Sequence, residues 1–451
     1  MKTVRTISVL GAGLVGSLLA LMLSRRGYAL SIYEKRADSR RKNTRGRSIN
    51  LAVSCRAWKA IEQVGLTDQV RPIALPMYGR QIHHLDGTES FMPYGGANEA
   101  IYAVSRQLLN EVLLNAVSAD PSIALHFDTP CLEVDFARST FTVCPPDAAP
   151  TACATDLLIG ADGLNSVLRS YYPTLPAFQL NTRQIAQAYK ELTIPASVAG
   201  EFQLQPDRLH IWPRQQFMMI ALPNIDGSFT GTLFLPSKGP VSFDALQTDA
   251  AIDDFFATYF ADLIPLVPTL TAQFNENPVS ALMSVDCYPW CYQDKAMLVG
   301  DAAHAILPFF GQGMNAGFED CSTIMALLDD CEGDWACVMA TYQQQRKRDT
   351  DAIAALSLQN YEEMQAKVAD PRFLLRKQID AKLTQEYPDR WRSLYGMVSF
   401  SDVPYHQVVK VGKQQTNLLD QIMATDNIES VWQELDYTPL LMSKPVAELA
   451  V

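Results

Sequence analysis

The sequence contains little cysteine and histidine, and its C-terminal tail has no apolar run long enough to cross a membrane. Nine cysteines are scattered along 451 residues, and the closest pair, Cys287 and Cys291, is not followed by a histidine or a second pair at zinc-ligand spacing. We therefore expect reduced thiols, a cytoplasmic setting and no metal site. Internal repeats and low-complexity segments are also missing, which argues against a solenoid or a disordered tail.

Positive charge is in deficit, with 37 Lys and Arg against 49 Asp and Glu and a formal net charge of −12. This balance argues against a general affinity for nucleic acid or an anionic membrane. The one basic run, at residues 36–47, suits a solvated loop as well as contact with a phosphate or a cofactor. With 48% hydrophobic residues, the chain should be a soluble globular protein of two or more lobes.

The most informative stretch is Gly11-Ala12-Gly13-Leu14-Val15-Gly16, which follows a short apolar run and opens a helical pattern. This context predicts the strand-turn-helix of a nucleotide-binding βαβ unit. Gly11 permits a tight turn, Gly13 lets a pyrophosphate approach the backbone, and Gly16 lets helix and strand pack closely. Glu34, at the end of the next predicted strand, is placed to accept hydrogen bonds from an adenosine ribose.

A signal peptide or membrane anchor is the alternative, because Lys2 and Arg5 precede an apolar stretch at residues 7–23. The glycines fall where a spanning helix would not place them, and no A-x-A-like cleavage site follows. The pattern also continues regularly through Ala20 and Gly27 to Glu34. The nucleotide-binding interpretation is therefore favoured.

A glycine-aspartate turn, Gly300-Asp301, follows a predicted buried strand at residues 296–299. A carboxylate at this position can bind a polyol chain, and the positive end of the helix after Gly313 can face the pyrimidine edge of a flavin. An incidental aspartate in a strand-turn-helix is the alternative. Asp162-Gly163, taken alone, is more often a turn than a site, and His304 is more easily explained as structural than as catalytic.

These pieces, together with a set of longer stretches, resemble the class A flavoprotein aromatic hydroxylases with the para-hydroxybenzoate hydroxylase fold. The stretches narrow the resemblance to those members that act on L-kynurenine, and it covers about residues 5–410. They are Arg45-Gly46-Arg47-Ser48-Ile49-Asn50-Leu51-Ala52, Ile211-Trp212-Pro213-Arg214, Phe217-Met218-Met219-Ile220-Ala221-Leu222-Pro223-Asn224 and residues 308–320.

The resemblance implies noncovalently bound FAD, transient reduction by NADPH, and O2 as co-substrate. A flavin hydroperoxide would then hydroxylate L-kynurenine to 3-hydroxykynurenine, with no catalytic residue beyond the flavin. The amine already activates the ortho carbon, so the protein has only to position the ring, exclude water and stabilise the leaving flavin alkoxide. No second dinucleotide fingerprint is present, as expected where the nicotinamide cofactor has no Rossmann domain of its own.

The resemblance also implies the contact residues. Without it, each substrate position has an ordinary explanation as a surface charge or core filler. The implied substrate contacts are Arg80, Tyr94, Asn360, Glu363, Met364 and Tyr395. The implied and motif-based FAD contacts are Gly11, Gly13, Leu14, Val15, Gly16, Glu34, Lys35, Arg36, Ala52, Arg106, Leu132, Asp162, Asp301, Gly313, Met314 and Asn315.

The predicted fold class is α/β: a Rossmann-like FAD-binding domain, an inserted antiparallel β-sheet that forms a substrate lobe, and a helical C-terminal region. Residues 44–52 are expected to form a polar loop, and the alternating stretch at residues 79–94, which turns at Asp86-Gly87, predicts a hairpin. We predict the FAD-binding domain at residues 1–72, 101–178 and 286–335. The substrate lobe is predicted at residues 73–100 and 179–285, and the helical region at residues 336–451.

The chain departs from animal members of the family in lacking their apolar C-terminal membrane anchor, so we expect no membrane attachment. Two other functions stay open. One is a flavin-dependent hydroxylase or halogenase of another aromatic acid, against which Arg80, Tyr94 and Asn360 favour an amino acid. The other is a non-enzymatic relative of the Rab escort type, against which Gly300-Asp301 argues.

Overall fold

The computed structural model describes residues 6–41, 50–96, 98–366 and 370–442, except for the side chains of residues 364–366. Its strands are β1 (Thr6–Leu10), β2 (Ala29–Tyr33), β3 (Asn50–Val53), β4 (Ala74–Met77), β5 (Gly79–His83), β6 (Glu89–Pro93), β7 (Ile101–Ser105), β8 (Ile123–His126), β9 (Cys131–Asp135), β10 (Thr140–Val143), β11 (Thr151–Ala154), β12 (Leu157–Gly160), β13 (Gln179–Ile194), β14 (Arg208–Arg214), β15 (Phe217–Pro223), β16 (Phe229–Pro236), β17 (Ser280–Tyr288), β18 (Cys291–Tyr292) and β19 (Ala296–Leu298).

Its α-helices are α1 (Leu14–Ser24), α2 (Cys55–Gln63), α3 (Thr67–Val70), α4 (Arg106–Ala119), α5 (Val167–Tyr171), α6 (Asp249–Tyr259), α7 (Leu270–Glu276), α8 (Asp301–His304), α9 (Gly313–Asp330), α10 (Trp335–Ala366), α11 (Pro371–Glu386), α12 (Leu394–Phe400), α13 (Tyr405–Met423), α14 (Ile428–Val431) and α15 (Thr438–Met442). Short 3-10 helices lie at Arg71–Ile73, Tyr172–Thr174, Phe243–Ala245, Ala261–Leu266 and Pro308–Phe310. Within the described ranges, every helix is too short or too polar to span a bilayer.

The first compact unit comprises Met1–Ala74, Val104–Gln184 and Met283–Asp351. Its main sheet has the order β18-β19-β12-β1-β2-β8, and β1 pairs in parallel with both β12 and β2. A small antiparallel sheet follows the order β11-β10-β9. Helix α1 packs against α4 and α9. The Rossmann-like domain predicted from the glycine motif is confirmed.

The second compact unit comprises Leu75–Ala103, Ile185–Leu282 and Ala352–Val451. Its sheet has the order β17-β13-β16-β15-β14-β5-β6, in which β14 and β5 are parallel and the pairs from β13 to β14 are antiparallel. Phenylalanines of α6 and α7 pack with buried residues of this sheet in one apolar core. The predicted antiparallel insertion and its hairpin at residues 79–94 are confirmed.

The C-terminal helices have a core of their own within the second unit. Ile379 and Leu383 of α11, Trp391, and Leu418 and Ile422 of α13 belong to this core and are at most 2% exposed. The predicted helical region is therefore confirmed, whereas the three-part domain division stays a prediction.

Two sequence expectations are wrong in detail. Residues 44–52 were expected to form a polar loop, but Asn50–Val53 is strand β3. Four residues are too few for a periodic pattern to be seen, and the polar residues before them resemble a loop. The remaining positions of that expectation, residues 44–49, lie outside the described part of the chain.

The expectation of reduced thiols is wrong for one pair, because Cys331 and Cys337 form a disulfide. Glu332 and Gly333 between them have positive φ angles of 51° and 77°, so the chain reverses between α9 and α10. This reversal brings the two cysteine Cα atoms to 5.9 Å, within disulfide range. The other seven cysteines are free thiols.

A buried pair of histidines joins β5 to β14 on one face of the second unit's sheet. The Nε2 atom of His83 is 2.8 Å from Nδ1 of His210, and the other ring nitrogen of His210 donates to the carbonyl of Gln205 over 2.9 Å. Trp212 stacks on His83 with ring centres 4.1 Å apart and donates to Asp262 over 2.6 Å. Burial lowers the pKa of His210 to about 4.

We expect His210 to make folding stability depend on pH between about 6.5 and about 4. In that window the unfolded histidine is protonated and the buried one is not, so the stabilisation is complete above the window and is lost as the pH falls through it. The loss should total roughly 3 kcal/mol in the free energy of unfolding. In His210→Gln, urea unfolding measured from pH 7 to 4 should show a shallower decline.

The exposed His84, on the same hairpin, provides the control. His84→Gln should follow the wild-type curve across the same range of pH. Parallel curves for the wild type and His210→Gln would show that His210 is not the group responsible.

Candidate cofactor and substrate sites

Three glycine-containing turns, two of them with an aspartate, follow neighbouring strands of the first unit's sheet. The order β19-β12-β1 places Gly300-Asp301, Asp162-Gly163 and the turn at Gly11–Gly16 after the carboxyl ends of adjacent parallel strands. Carboxyl ends of parallel strands meet at one edge of a sheet, where ligands of doubly wound folds bind. The structure thus brings together motifs that lie far apart in the sequence.

The turn after β1 admits only glycine at two positions. Gly11 has a φ of 100°, and a Cβ atom there would lie 2.6 Å from the carbonyl oxygen of Ala161. A Cβ atom on Gly16 would overlap the carbonyl oxygen of Gly11. These close approaches agree with the roles predicted for a tight turn and for close packing of helix against strand.

Gly13 differs from these two glycines because a side chain at this position would enter space that the described residues leave open. Its φ and ψ of −74° and −175° are accessible to any residue, and a Cβ atom built on it meets no atom of the described residues within 4 Å. Gly13 is also the residue that precedes the first turn of α1. The open space therefore lies at a helix N-terminus, which favours a diphosphate.

Glu34 is held beside this turn by two backbone amides. Its Oε2 atom accepts from the amide of Ala12 and its Oε1 atom from the amide of Arg36, each over 2.9 Å. Each oxygen keeps further lone pairs, so the carboxylate can still accept from ribose hydroxyls. Lys35 and Arg36 follow it in exposed positions.

Val15 connects the first motif to the third. A Cβ atom on Gly300 would lie 3.1 Å from the Val15 side chain, and one on Gly317 of α9 only 2.7 Å from it. Asp301, which begins α8, is half-buried and makes no hydrogen bond or ion pair with another described residue. Its carboxylate is therefore free to accept hydroxyl groups of a ligand.

A buried ionic network, which the sequence reading missed, fixes the Gly300 turn. The Oδ2 atom of Asp320 accepts from the amide of Gly300 over 3.0 Å and from Nε2 of His304 over 2.6 Å. Its Oδ1 atom accepts from Nε of Arg346 over 2.8 Å. Burial opposes the charge, but His304 and Arg346 lower the pKa of Asp320 to about 2. His304 thus has the structural position expected for it.

The side chain of Asp162 caps the N-terminus of helix α5. Its Oδ2 atom accepts from the amides of Val167 and Leu168 over 2.6 and 3.3 Å, at the start of α5. Its Oδ1 atom is buried without a hydrogen-bond partner among the described residues, and burial raises its pKa. A ligand hydroxyl would satisfy that oxygen.

At the start of α9, the side chain of Asn315 is already occupied by the protein. Its amide group donates to the carbonyls of Ala52 and Gly311 over 2.9 Å each, and its oxygen accepts from the amide of Ser54. Any donation from Asn315 to a cofactor would therefore come from its backbone.

The other predicted cofactor positions are less constrained. Leu14 is buried in the first turn of α1, and Met314 is half-buried in the first turn of α9. Arg106 begins α4 and is exposed. Leu132 is 49% exposed, and its carbonyl accepts from the hydroxyl of Tyr171 over 3.0 Å. These roles stay predictions.

In the second unit, Arg80 lies against the faces of two tyrosines. Its guanidinium carbon is 4.5 Å from the ring centre of Tyr395 and 5.4 Å from that of Tyr94. The two rings are stacked, with centres 4.8 Å apart and planes inclined by 17°. Phe400, which sequence reasoning missed, packs on both rings at 6.2 and 6.1 Å. Phe400 lies five residues after Tyr395, outside the i+3 and i+4 spacing that places residues on one helix face, so the sequence pattern does not mark the two as neighbours.

Two buried polar atoms of this cluster are available to a ligand. The Nε atom of Arg80 and the hydroxyl of Tyr94 are buried without a hydrogen-bond partner among the described residues. Burial opposes the charge of Arg80, but the two tyrosines raise its pKa, so the guanidinium stays charged. Burial also raises the pKa of Tyr94 well above its usual range, so its hydroxyl stays a neutral donor.

Two of the three predicted residues of α10 have side chains in the described part of the structure. Asn360 is half-buried, and the carboxylate of Glu363 accepts from Nε2 of Gln359 over 2.9 Å and faces Nζ of Lys377 at 3.7 Å. The side chain of Met364 lies outside the described part of the structure.

Comparison with known proteins agrees with these geometries. The FAD binding domain family matches residues 3–208 and 281–357. Kynurenine 3-monooxygenase of Flavobacterium johnsoniae is 41% identical over 433 residues, covering 96% of this chain and 97% of that protein. The Christiangramia forsetii enzyme of the same name is 40% identical over 444 residues, covering 98% and 99%.

Solved structures show the same fold at lower identity. A 2-methyl-3-hydroxypyridine-5-carboxylic acid oxygenase has a TM-score of 0.67 at 18% identity, covering 82% of this chain and 95% of its own. The Pseudomonas aeruginosa protein PqsL, in complex with 2-aminobenzoylacetate, has a TM-score of 0.65 at 17% identity, covering 81% and 97%.

The fold and the glycine cradle define an FAD-dependent flavoprotein monooxygenase. Since the identity to the curated relatives extends over nearly the whole length, the chain belongs to the kynurenine 3-monooxygenase family.

We expect Gly13 and Gly16 to respond in opposite ways to substitution. Gly13→Val should leave the FAD-free protein within about 0.5 kcal/mol of wild-type stability, because its side chain enters open space. It should nevertheless abolish FAD binding by filling the space for the diphosphate. Gly16→Ala should destabilise the FAD-free protein by about 3 kcal/mol through overlap with Gly11. Denaturation of the FAD-free proteins and flavin titration check both, and normal FAD affinity in Gly13→Val would remove the cradle assignment.

Asp301→Ala and Glu34→Ala should each weaken FAD binding by about 1.5 to 3 kcal/mol, the usual cost of losing a charged acceptor. Only Glu34→Ala should also destabilise the FAD-free protein, because Glu34 binds two backbone amides and Asp301 binds no described residue. Unchanged FAD affinity in both variants, measured by flavin fluorescence titration, would contradict their roles.

Proposed function

We propose that the chain hydroxylates L-kynurenine to 3-hydroxykynurenine, using bound FAD, NADPH as a transient reductant and O2 as co-substrate. The observation that carries the proposal is the Arg80 cluster. The guanidinium of Arg80 has a buried Nε atom, faces two tyrosine rings and has no carboxylate partner among the described residues, which is unusual for a buried charge. The curated relatives of this chain described above carry the name kynurenine 3-monooxygenase.

The cluster suits an aromatic amino acid in two respects. The fork of Arg80 can make paired hydrogen bonds to a carboxylate, and the neutral hydroxyl of Tyr94 can add a third. The stacked rings of Tyr94 and Tyr395 surround that anchor with apolar faces. The ligand would thus satisfy the buried polar atoms that the protein leaves without partners.

The residues of the first unit fit FAD. The open side of Gly13 suits the diphosphate, Glu34 suits the adenosine ribose, and the free carboxylate of Asp301 suits a ribityl hydroxyl. FAD, reduced by NADPH, supplies the activated oxygen. The protein's share is then to bind the ring in a fixed position and to keep water away from it, because the ring amine already activates the ortho carbon.

We also propose that Asn360, Glu363 and Met364 line the substrate site with Tyr395, as the resemblance implies. Asn360 and Glu363 are half-buried on α10, and the long ion-pair distance of 3.7 Å from Glu363 to Lys377 leaves its carboxylate loosely held. A loosely held carboxylate could exchange that partner for the ammonium group of the substrate.

A hydroxylase of another aromatic acid is the second candidate, since Arg80 would bind any carboxylate. Substrate-stimulated NADPH oxidation, measured with kynurenine and with simple phenols, separates the two. Stimulation by kynurenine with 3-hydroxykynurenine as the product supports the proposal. Stimulation by the phenols alone would replace it with the second candidate.

The cytoplasmic localisation expected from composition stays a proposal. Seven free thiols support it, whereas the disulfide of Cys331 and Cys337 weighs against it, because disulfides are rare in the cytosol.

We expect Arg80→Lys to lower both the affinity for kynurenine and the ratio of hydroxylated product to NADPH consumed. A lysine supplies a point charge but not the paired hydrogen bonds of the guanidinium fork, so the substrate ring would no longer be held in register. NADPH should then be consumed with release of hydrogen peroxide. Tyr94→Phe should lose less, about 0.5 to 1.5 kcal/mol of binding free energy, since it removes one neutral hydrogen bond.

Arg208 offers a matched control on the neighbouring strand β14, where it lies over Phe91 and donates to Gln81. Arg208→Lys should keep kynurenine affinity, measured by the change in flavin absorbance, and the ratio of product to NADPH consumed. If Arg80→Lys keeps wild-type values of both quantities, Arg80 does not bind the substrate carboxylate. The main physical argument for kynurenine as the substrate would then be lost.

A further inference from the structure

We propose that the ion pair between Glu99 and Arg392 is a positioning device for the substrate anchor. It ties the segment after Tyr94 to helix α12, and thereby holds Tyr94 and Tyr395 together over Arg80. This inference rests on the proposed function, since it assigns how the same site keeps its shape.

The carboxylate of Glu99 organises the segment that follows Tyr94. Its Oε2 atom accepts from the amide of Gly96 over 3.1 Å, and its own amide donates to the Gly96 carbonyl over 3.0 Å. The carboxylate lies so close to Gly95 that a Cβ atom there would overlap it. The chain after Tyr94 therefore folds tightly around the Glu99 side chain.

Arg392 organises the other partner, helix α12. Its NH2 group donates to the carbonyl of Phe400 over 3.0 Å, at the C-terminal end of the helix. Its own carbonyl accepts from Nε2 of Gln415 on α13 over 2.8 Å. At the N-terminal end, Ser393 caps the helix by accepting from the amide of Gly396. The arginine thus contacts both the start and the end of the helix that carries Tyr395.

The pair itself joins these two pieces. The same NH2 group of Arg392 donates to Oε1 of Glu99, and the side chains are only 19% and 29% exposed. Exposed ion pairs contribute little because both side chains must be ordered to form them. Here each partner is already held by a second hydrogen bond, so little further ordering is required.

The geometry of the anchor depends on the two pieces staying together. Tyr94 belongs to the first piece, whereas Tyr395 and Phe400 belong to the second, and the stacking distance of 4.8 Å spans the two. If the ion pair is broken, the tyrosines can separate and the guanidinium of Arg80 loses its flanking faces. Kynurenine would then bind less tightly, and its ring would be held less accurately.

The test is a double-mutant cycle on the holoenzyme, with Glu99→Ala, Arg392→Ala and the double variant. Each single variant should raise KM for kynurenine about three- to tenfold, as expected for a partly shielded charged hydrogen bond. The effect of the double variant should be smaller than the product of the two single effects, because both single variants already lose the same ion pair. The ratio of product to NADPH consumed should fall, while kcat should change less than KM.

Two further variants separate positioning from a general loss of structure. Arg392→Lys should recover part of the KM, since it can pair with Glu99 but cannot also reach the Phe400 carbonyl with the same planar fork. Arg390→Ala, which removes a nearby exposed arginine, should leave KM at the wild-type value. Additive effects in the cycle, or an unchanged KM in both single variants with active wild-type enzyme, would overturn the proposal.

Failure of the proposed function gives a different result. In that case the wild type itself would not hydroxylate kynurenine. The positioning role is then judged by the crystal structure of Arg392→Ala, in which the centres of the Tyr94 and Tyr395 rings should move apart beyond 4.8 Å. An unchanged stack in that structure would overturn it.

Discussion

The hydrogen bonds and ion pairs of the buried Asp320 carboxylate fix the Gly300 turn of the first unit. A carboxylate in the protein interior is tolerated only when its hydrogen bonds and its charge are satisfied. Asp320 meets this condition through Gly300, His304 and Arg346, which belong to the turn before α8, to α8 itself and to α10. The same carboxylate therefore fixes the backbone from which Asp301 extends.

The ionic network continues outward from that point. Arg346 also pairs with Glu319 over 2.8 Å, and Glu319 pairs with Arg56 of α2. These paired charges join α2, α9 and α10, and Asp320 of the same network binds the Gly300 amide, so several helices hold the turn that carries Asp301.

How much the sequence could predict depends on how local each feature is. The turn at Gly11–Gly16 and the hairpin at residues 79–94 were predicted, because their signals lie within a few residues of one another. The network of Asp320 could not be predicted, because its partners meet only after α8, α9 and α10 have packed. The residues of the Arg80 cluster were predicted through the family resemblance alone, since nothing in the sequence around Arg80 or Tyr395 marks them as neighbours.

The position of Arg80 depends on the register of strand β5. Successive residues of a strand face opposite sides, so Arg80 and the buried His83 lie on different faces of one short segment. At the preceding position, a Cβ atom on Gly79 would lie 2.5 Å from the carbonyl oxygen of Met92. A one-residue shift of this strand would exchange its two faces and force a side chain into that gap. Insertions or deletions within β5 would therefore disrupt the sheet that carries Arg80, whereas replacement of the side chains around Arg80 would leave the register of the strand unchanged.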